Sequence, residues 1–484
     1  MCLPLNITSM VGREKEIKEL KRLYNSKKAE FVAVYGRRRV GKTYLINNMF
    51  KNDFVFKHAG LSPDEEENNK QLSKQLNQFY NSLLIYGLKN EKKPTNWFEA
   101  FYLLQKLITE KDNGTKQVVF IDELPWLDTA KSDFINAFEG FWNNYGCAND
   151  NLLLIVCGSA TSWIKNNLIN NHGGLYGRVT YEIKLKPFSL HECEDFLNSN
   201  DVHLSKYDIV QSYMIFGGIP FYLNYLKPDY SLSQNIDELF FKRNALLSLE
   251  FDRLFASVFD SPDKIKDIVK FLATNSLGYT RKDIVSKLKI SDGGTLSKYL
   301  NALLASDFII KYVPFGYKKN EERYKLIDPF SIFYLKFIYE NKNINEKFWS
   351  QNVTSHNLSS WRGIAFENVC FNHIEQIKFK LGISGVITEA SSFFNKEDGY
   401  QIDLVLSRND NVINLCELKF YSSEFNVDKN YYLKIMNRTN LLLEKINNKK
   451  KVINNTLITT FGVKNNEYSN VFNNVITLED LFKF

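Results

Sequence analysis

A glycine-rich segment near the start of the chain has the residue types and spacing to hold phosphate groups. Five residues with strand character, FVAVY, lead into Gly36, and Gly41, Lys42 and Thr43 follow after four further residues. In the spacing G-x-x-x-x-G-K-[ST], glycines let backbone N–H groups wrap around phosphates, the lysine reaches the β- and γ-phosphates and the hydroxyl binds Mg²⁺. ATP with Mg²⁺ is therefore the expected cofactor. The expected nucleotide contacts are Gly36, Arg37, Arg38, Arg39, Val40, Gly41, Lys42, Thr43 and Tyr44.

Two acidic residues end a second strand-like segment. Four apolar residues, VVFI, precede Asp122 and Glu123. A buried parallel strand opens at its carboxyl end onto the ligand crevice of a sheet. Asp122 would hold Mg²⁺, directly or through water, and Glu123 would orient and deprotonate the attacking water. The alternative is an acidic pair on the surface.

Two further residues are candidates for sensing the γ-phosphate. Ser159 follows the apolar run LLLIVC, and its hydroxyl could bond the γ-phosphate or the lytic water; a simple strand-ending turn is the alternative. Arg178 precedes a strand predicted at 179–183 and could neutralise charge during phosphoryl transfer. It would act within its own chain or on a neighbouring subunit of a homo-oligomer, and a structural salt bridge is the alternative.

A second acidic pattern lies near the C-terminus. Asp403 lies in one predicted strand, and Glu417 and Lys419 lie in the next, on the same face because side chains alternate along a strand. This order is similar to the PD-(D/E)xK nuclease pattern. Asp403 and Glu417 would bind one or two divalent metal ions, with Glu367 from the preceding helix completing the site. Lys419 would position or activate water.

The segment between these two sites predicts three helices followed by a hairpin. The helices span 264–273, 281–288 and 294–305, and the hairpin strands span 308–313 and 323–326. This is the order of a winged helix-turn-helix, whose third helix would enter the major groove of DNA. The exposed face of this third helix has four polar residues, of which one is charged, so its attraction to DNA phosphates would be weak. Contact with a protein in place of DNA is therefore an equal alternative. The four polar residues are Thr295, Ser297, Lys298 and Asn301.

Several connecting segments carry more local expectations. An acidic run, 64–67, should start a helix that reaches residue 86. Separately, Ser189 should cap the helix that begins near residue 191. Gly217 and Gly218 should form a hinge before Pro220. One helix is expected over 361–379, and the polar stretch 341–360 is expected to be a connection.

The composition bounds the class of protein. The chain has 484 residues, which suggests about three domains. A net charge of +7 permits nucleic-acid binding without demanding it. The six cysteines form no C-x-x-C pair, which favours a reducing, cytoplasmic setting over a disulfide framework or a zinc site. No apolar run approaches the ~20 residues of a membrane span, so a membrane is not an expected partner.

Together, VGRE before the glycine-rich loop, IDE, GS and GGIP make the chain resemble AAA-type (STAND-like) P-loop ATPases of archaea and anaerobic bacteria. The resemblance implies an α/β fold: a P-loop NTPase parallel sheet with a helical lid, a winged helix-turn-helix and a C-terminal restriction-endonuclease-like α/β domain. It implies four domains: an ATPase core (1–190), a lid (191–260), a winged helix (261–340) and a nuclease-like domain (341–484).

The expected function is an ATP-binding and ATP-hydrolysing switch coupled to a C-terminal domain that binds DNA. If the acidic pattern is catalytic, that domain is a metal-dependent nuclease. The alternative is a STAND-like signalling scaffold with slow ATP turnover and an inactive, nucleic-acid-binding C-terminal domain. The sequence names no protein partner.

Overall fold

The structure, a computed structural model, describes residues 10–62, 71–259, 261–339, 345–395, 400–446 and 451–484. The chain divides into two compact units. The first comprises Met1–Lys186 with Ala256–Asp260, and the second comprises Pro187–Phe255 with Ser261–Phe484. The predicted division into four domains stays a prediction, and each unit is described by itself.

The first unit is built on a parallel sheet of five strands in the order β2-β3-β4-β1-β5. Its three central strands are buried along their whole length, which explains their nearly continuous apolar sequences. The strands are β1 (Glu30–Tyr35), β2 (Phe54–Ala59), β3 (Gln117–Asp122), β4 (Leu152–Gly158) and β5 (Tyr181–Lys184).

Six α-helices within the described residues accompany this sheet, and aromatic side chains form much of the core between them. Phe31 of the sheet packs edge-on against Phe138 and lies 5.0 Å from the Trp142 ring. The helix predicted to start in the acidic run begins, as far as the described residues go, at Gln71; the run itself lies outside them. The helices are α1 (Glu14–Tyr24), α2 (Lys42–Phe50), α3 (Gln71–Ile85), α4 (Trp97–Glu110), α5 (Phe134–Asn144) and α6 (Thr161–Ile164).

The second unit opens with short helices. Ser189 caps the first of them in a reciprocal capping box with Glu192, as its position predicts. Gly217 and Gly218 both adopt left-handed conformations, with φ near 67° and 66°, and they turn the chain into the next helix. The helices are α7 (Leu190–Ser199), α8 (Lys206–Phe216), α9 (Pro220–Leu223), α10 (Leu232–Ile236) and α11 (Glu250–Val258), the last of which ends in the first unit.

Four α-helices of the described residues follow, together with a small antiparallel sheet whose strand order is β6-β8-β7. The bounds of the second and third helices match the prediction residue for residue, and Thr280 caps the second as expected. The elements are α12 (Pro262–Leu272), β6 (Tyr279–Thr280), α13 (Arg281–Leu288), α14 (Gly294–Ala305), β7 (Ile309–Tyr312), β8 (Arg323–Leu326) and α15 (Pro329–Phe337).

The rest of the second unit forms a separate mixed sheet in the order β13-β12-β11-β10-β9, antiparallel from β9 to β11 and parallel from β11 to β13. The elements are α16 (Phe348–Asn352), α17 (His356–Asn372), α18 (Ile374–Lys380), β9 (Thr388–Asn395), β10 (Tyr400–Arg408), β11 (Val412–Lys419), α19 (Lys429–Ile446), β12 (Val452–Thr459), β13 (Asn474–Ile476) and α20 (Leu478–Leu481).

Two local predictions are wrong here. The single helix expected over 361–379 starts earlier, at His356, and is broken at His373 into α17 and α18. The connection expected over 341–360 contains a helix, α16, whose Trp349 is fully buried. The carboxylate of Asp237 accepts hydrogen bonds from the Trp349 and Ser350 N–H groups at 2.8 and 3.1 Å, which anchors this helix. The prediction failed because the segment is polar overall, although it contains one buried tryptophan and its helix is capped by an aspartate that is remote in sequence.

None of the helices within the described ranges is long and apolar enough to cross a lipid bilayer.

Candidate functional site

The glycine-rich loop lies between β1 and α2, and its two glycines are required for different reasons. Gly36 has φ 141°, and a Cβ there would approach the Leu185 carbonyl oxygen to 2.2 Å. Gly41 has φ 94°, and a Cβ there would meet no atom within 4 Å. Gly36 permits close packing against the backbone of the segment that contains Leu185. Gly41 keeps a left-handed turn beside open space, which fits a loop that wraps a ligand.

Lys42 is buried at the start of α2, and all three N–H groups of its ammonium have acceptors in the loop and on β4. Nζ donates to the carbonyl oxygens of Gly36 and Arg37, at 2.9 and 3.1 Å, and to Ser159 Oγ at 3.0 Å. Burial lowers the pKa of Lys42, while the nearby Glu123 carboxylate opposes that shift. A phosphate group would replace these neutral acceptors and supply the negative charge that a buried ammonium favours.

Thr43 and Asp122 meet directly, although 79 residues separate them in the chain. Thr43 Oγ1 donates to Asp122 Oδ2 at 2.6 Å. The second carboxylate oxygen accepts the Glu123 N–H at 3.0 Å. Burial raises the pKa of Asp122, and its hydrogen bond from Thr43 works in the opposite direction. A hydroxyl and a carboxylate at this distance are hard oxygen donors, so the pair fits the ligand preferences of Mg²⁺.

Glu123 is held by Ser159 on the neighbouring strand. Glu123 has a left-handed backbone, with φ 44°, immediately after β3. One of its carboxylate oxygens accepts the Ser159 N–H at 3.0 Å, and the other accepts the Ser159 hydroxyl at 2.7 Å. Because the same hydroxyl accepts from Lys42, Ser159 joins Glu123 to the lysine of the glycine-rich loop. We call the group of Lys42, Thr43, Asp122, Glu123 and Ser159 the loop cluster.

The remaining loop residues have distinct environments. Arg37 is buried, whereas Arg38 lies over the Trp126 ring with its guanidinium carbon 5.6 Å from the centroid. Arg39 has a left-handed backbone, with φ 72°. Val40 is buried, and Tyr44 is 64% exposed on the first turn of α2. These loop residues therefore differ in exposure, and their contacts with a nucleotide stay a prediction.

Two other arginines of the first unit also bear on the predictions. Arg13, in the VGRE segment, is buried and donates from Nη2 to the Val40 carbonyl oxygen at 3.1 Å, so this segment supports the loop directly. Arg178 is exposed, and its backbone N–H donates to the Leu175 carbonyl oxygen at 3.1 Å. The phosphate-sensing role of Arg178 stays a prediction.

The C-terminal acids belong to a second charged group, in the second unit. Asp403 and Glu417 lie one position beyond the paired residues Leu404 and Cys416 of adjacent strands. Glu417 Oε1 contacts Lys419 Nζ at 2.8 Å, as expected for side chains on one face of β11, and it accepts a hydrogen bond from the Tyr431 hydroxyl. Glu417 Oε2 accepts from Arg438 at 2.6 Å.

Burial alone would raise the pKa of Glu417, but Arg438 and Lys419 lower it to about 2. Glu367, in contrast, has a pKa raised to about 7, first by burial and then by Asp403. Its nearest described cation is Lys325, whose Nζ lies 3.8 Å from Glu367 Oε2 and 4.7 Å from the Phe371 ring centroid. We call Lys325, Glu367, Asp403, Glu417, Lys419 and Arg438 the second cluster.

As arranged, the second cluster does not fit a divalent metal ion. Both oxygens of Glu417 are bonded to cations or a phenol, and Glu367 faces Lys325. Across the part of the chain that the structure describes, no group of three or more His, Cys, Asp or Glu side chains is placed to hold a metal. Three carboxylates here meet three cationic side chains, so the site already has balanced charge.

Sequence reasoning missed two members of the second cluster, Lys325 and Arg438, and the tyrosine that donates to Glu417, Tyr431. A signal for Arg438 does exist in the sequence. Ile435, Arg438 and Leu442 follow the i, i+3, i+7 spacing of one helix face, and the two apolar residues are fully buried. A charged residue within such a stripe needs a buried partner. No comparable pattern marks Lys325, which the alternation of a hairpin strand would place in solvent.

Comparison with known proteins relates much of the chain to other proteins and its N-terminal part to a family. Residues 10–226 match a family described as an ATPase domain predominantly from Archaea. An uncharacterized protein of Methanocaldococcus jannaschii is 26% identical over 416 residues, which is 85% of this chain and 87% of that protein. An uncharacterized ATP-binding protein of the same organism is 46% identical over 46 residues, covering 10% of this chain and 78% of that protein.

Among solved structures, a Walker-type ATPase of Pyrococcus abyssi is similar with a TM-score of 0.45 and 20% identity, covering 68% of this chain and 96% of that chain. The parallel sheet, its glycine-rich loop and the acidic pair define a P-loop ATPase domain. Residues 10–226 of this chain are an ATPase domain of the family found predominantly in Archaea.

Proposed function

We propose that the chain is an ATP-driven switch, in which ATP bound and hydrolysed at the loop cluster controls a DNA-binding second unit. The observation that supports this most directly is the chain of hydrogen bonds from Lys42 through Ser159 to Glu123, beside the bond from Thr43 to Asp122. Each member of the loop cluster is thus within one hydrogen bond of another member.

Each residue has a separate role in this proposal. The loop's backbone N–H groups and the Lys42 ammonium bind the β- and γ-phosphates. Thr43 and Asp122 would hold Mg²⁺, which neutralises charge on the phosphates. Glu123 accepts the proton of the attacking water, and the two hydrogen bonds from Ser159 fix the orientation of its carboxylate. Ser159 therefore positions the base.

Steady-state ATP hydrolysis and fluorescent-nucleotide binding, measured on the full chain, test this proposal. We expect Lys42→Ala to abolish both binding and hydrolysis, because the phosphates lose their buried cation. We expect Glu123→Gln to keep binding and to lower kcat about 10²-fold or more, because the amide cannot accept the proton. Lys51→Ala, an exposed lysine at the end of the same helix, is the control and should match the wild type.

Two outcomes would count against the switch. Unchanged hydrolysis in Lys42→Ala would reject the assignment of the loop. Turnover that is negligible in the wild type, with an oligomer size that follows bound nucleotide, would favour the signalling scaffold.

The DNA-binding part of the proposal concerns residues 262–326, which we propose act as a winged helix-turn-helix. Lysines are exposed on α13, just after it and on α14, and the acids beside them are partly engaged: Asp283 caps Thr280 and Asp292 pairs with Arg281. Exposed lysines attract the phosphate backbone of DNA. The exposed lysines are Lys282, Lys287, Lys289 and Lys298.

Fluorescence anisotropy with duplex DNA at several salt concentrations tests this part. Replacing the four lysines by Gln should weaken binding and flatten the dependence of log K on log salt, because each lost phosphate contact lowers the slope by about 0.9. Replacing four exposed residues of the first unit (Lys15, Lys18, Lys27 and Lys51) is the control with equal charge change. Equal binding by both variants would favour a protein partner for this segment.

A metal-dependent nuclease is a second candidate function for the C-terminal domain, because Asp403, Glu417 and Lys419 lie on adjacent strands. It requires a rearrangement of the second cluster, whose cations now engage Glu417 and Glu367. Plasmid and linear DNA, incubated with Mg²⁺ or Mn²⁺ and with or without ATP, test it. Asp403→Ala and Lys419→Ala should abolish any cutting seen with the wild type. If neither the wild type nor Lys325→Met, which removes the cation beside Glu367, cuts under any of these conditions, the domain is a binding module.

A further inference from the structure

The hairpin of β7 and β8 is fastened to the edge strand of the mixed sheet. The Phe315 N–H donates to the Ser392 carbonyl oxygen at 2.9 Å, and the Tyr317 hydroxyl donates to the Phe394 carbonyl oxygen at 2.9 Å. The Ser392 hydroxyl donates to the Tyr312 hydroxyl at 2.9 Å. Phe315 also packs against the core of that sheet. These contacts come from the hairpin and its loop, so the hairpin is docked on β9.

Docking carries a lysine into the second cluster. Lys325, on β8, is 3% exposed, although a strand of a surface hairpin usually leaves its charges in water. Its ammonium has one described carboxylate within salt-bridge distance, Glu367 at 3.8 Å, and it lies over the Phe371 ring. A buried ammonium requires a negative partner, and a buried carboxylate requires a positive one. Lys325 and Glu367 therefore each supply the opposite charge that the other requires.

The rest of the second cluster is balanced without Lys325. Glu417 is paired with both Arg438 and Lys419. Asp403 is half-buried, and its nearest described contacts are weak: the Leu418 N–H and the Gln401 side-chain amide, each at 3.4 Å. Removing Lys325 would therefore leave Glu367 buried beside Asp403 with no described cation at salt-bridge distance. A buried carboxylate without a cation, beside a second one that shares Lys419 and Arg438 with Glu417, offers hard oxygen donors to a divalent cation.

We propose that Lys325 is an intramolecular cation that excludes a divalent metal ion from Glu367 and Asp403, so that hairpin docking and metal binding are mutually exclusive. This inference rests on the nuclease-like pattern proposed above and is independent of the ATPase. By linkage, anything that lifts the hairpin raises the affinity of these carboxylates for metal, and a bound metal opposes docking by the same factor. The domain is thereby held in a metal-free form while the hairpin is docked.

Binding of Mn²⁺, measured by electron paramagnetic resonance of the free ion, tests the proposal without relying on DNA cutting. The full chain is used without nucleotide and in an Asp122→Asn background, so that the loop cluster contributes no metal site. Lys325→Met keeps the aliphatic packing and removes the charge. We expect it to bind Mn²⁺ at least about tenfold more tightly than the background protein, and we expect the gain to vanish in Lys325→Met combined with Asp403→Asn.

Lys311→Met is the matched control. Lys311 lies on the partner strand of the same hairpin, but it is exposed and pairs with Glu322 at 3.2 Å. Its replacement should leave Mn²⁺ binding unchanged. Equal Mn²⁺ affinity in Lys325→Met and Lys311→Met, or binding in neither, overturns the proposal.

A second variant leaves the cluster intact and keeps the proposal falsifiable if Lys325→Met fails to fold. Tyr317→Ala removes a docking hydrogen bond and a ring that lies 4.9 Å from Phe394. It should raise Mn²⁺ affinity several-fold, again only while Asp403 is present. Unchanged affinity rejects mutual exclusion. Tighter Mn²⁺ binding without any DNA cutting would sink the nuclease proposal alone and leave this inference standing.

Discussion

At the scale of single residues, Ser159 is the member of the loop cluster whose role depends most on geometry. Its hydroxyl accepts from Lys42 and donates to Glu123, and its N–H also bonds Glu123. A serine that only ended a strand would need none of these contacts. In the proposed mechanism, the Ser159 side chain therefore connects phosphate binding by Lys42 to the orientation of the base, Glu123.

Ser159→Ala should lower kcat for ATP hydrolysis about 10²-fold, the scale of removing one hydrogen-bond donor from an active site. The affinity for nucleotide should change little, because Lys42 keeps its two carbonyl acceptors until phosphate replaces them. Ser162→Ala, three residues further along and outside the loop cluster, serves as the control. A loss of affinity equal to the loss of kcat would show that Ser159 acts in binding.

A buried histidine of the second unit gives a dependence of stability on pH. His373 Nε2 accepts the Leu190 N–H at 3.0 Å, and Nδ1 lies 2.7 Å from the Val369 carbonyl oxygen. A backbone N–H can only donate, so Nε2 must be unprotonated and Nδ1 must carry the proton. Burial lowers the pKa of His373 to about 4. Between about pH 4 and pH 6.5, the His373 ring is therefore neutral in the native state and protonated in the unfolded chain.

The sign of the effect follows from that shift. The stabilisation is fully present above pH 6.5, the ordinary histidine value, and is lost as the pH falls towards 4. We expect His373 to contribute a decrease of about 3 kcal/mol in unfolding free energy across this interval. His373→Gln should flatten the denaturation profile over that range, whereas exposed His203→Gln should not. Parallel profiles for wild type and His373→Gln would contradict this account.

At the scale of elements, the turn between α8 and α9 depends on two consecutive glycines. A Cβ at Gly218 would lie 2.4 Å from the Phe188 carbonyl oxygen and 2.7 Å from the Tyr213 ring, in a backbone with φ 66°. The Gly218 carbonyl oxygen accepts the Phe188 N–H at 2.8 Å, so the turn also fixes the start of α7. The Gly-Gly-Ile-Pro sequence is a close-packed turn rather than a free hinge.

Gly218→Ala should destabilise the second unit by about 2 kcal/mol or more, because it adds a steric clash to a left-handed backbone. Gly363→Ala is the matched control, since Gly363 lies within α17 and a Cβ there meets nothing within 4 Å. That change should be neutral or stabilising by about 0.5–1 kcal/mol. Denaturant unfolding of both variants measures the difference, and similar stabilities would refute the steric argument.

At the scale of the whole molecule, the two compact units predict how ligand binding changes stability. The loop cluster lies entirely in the first unit. A ligand that binds only the native state stabilises it by about 2.7 kcal/mol at a concentration 100 times Kd. ATP with Mg²⁺ should therefore raise the transition of the first unit in a calorimetric scan.

The same scan distinguishes a switch from two independent parts. If the units are coupled, the transition of the second unit should also move with nucleotide, and Lys42→Ala should abolish both movements. If only the first transition moves in the wild type, ATP does not control the second unit and the proposed switch is wrong. Lys51→Ala again provides the control.

The sequence alone determined the parts of this protein that depend on local periodicity and short spacing. Buried parallel strands are recognisable as continuous apolar runs, and the loop motif has a fixed spacing, so the first unit's sheet and Gly36–Thr43 could be predicted. The bounds of α13 and α14 were predicted for the same reason, since Thr280 and the apolar stripe mark them. The acidic residues Asp122 and Glu123 follow from their place at a strand end.

Only the tertiary structure decided which distant side chains meet. Ser159 bonds both Lys42 and Glu123 because β4 lies between β1 and β3, and no local pattern encodes that order. Lys325 lies in a strand whose charges the alternation rule would send to solvent, yet docking on the mixed sheet buries it beside Glu367. Whether a charged residue is buried depends on the segments that pack over it, and for Lys325 those segments are remote in sequence.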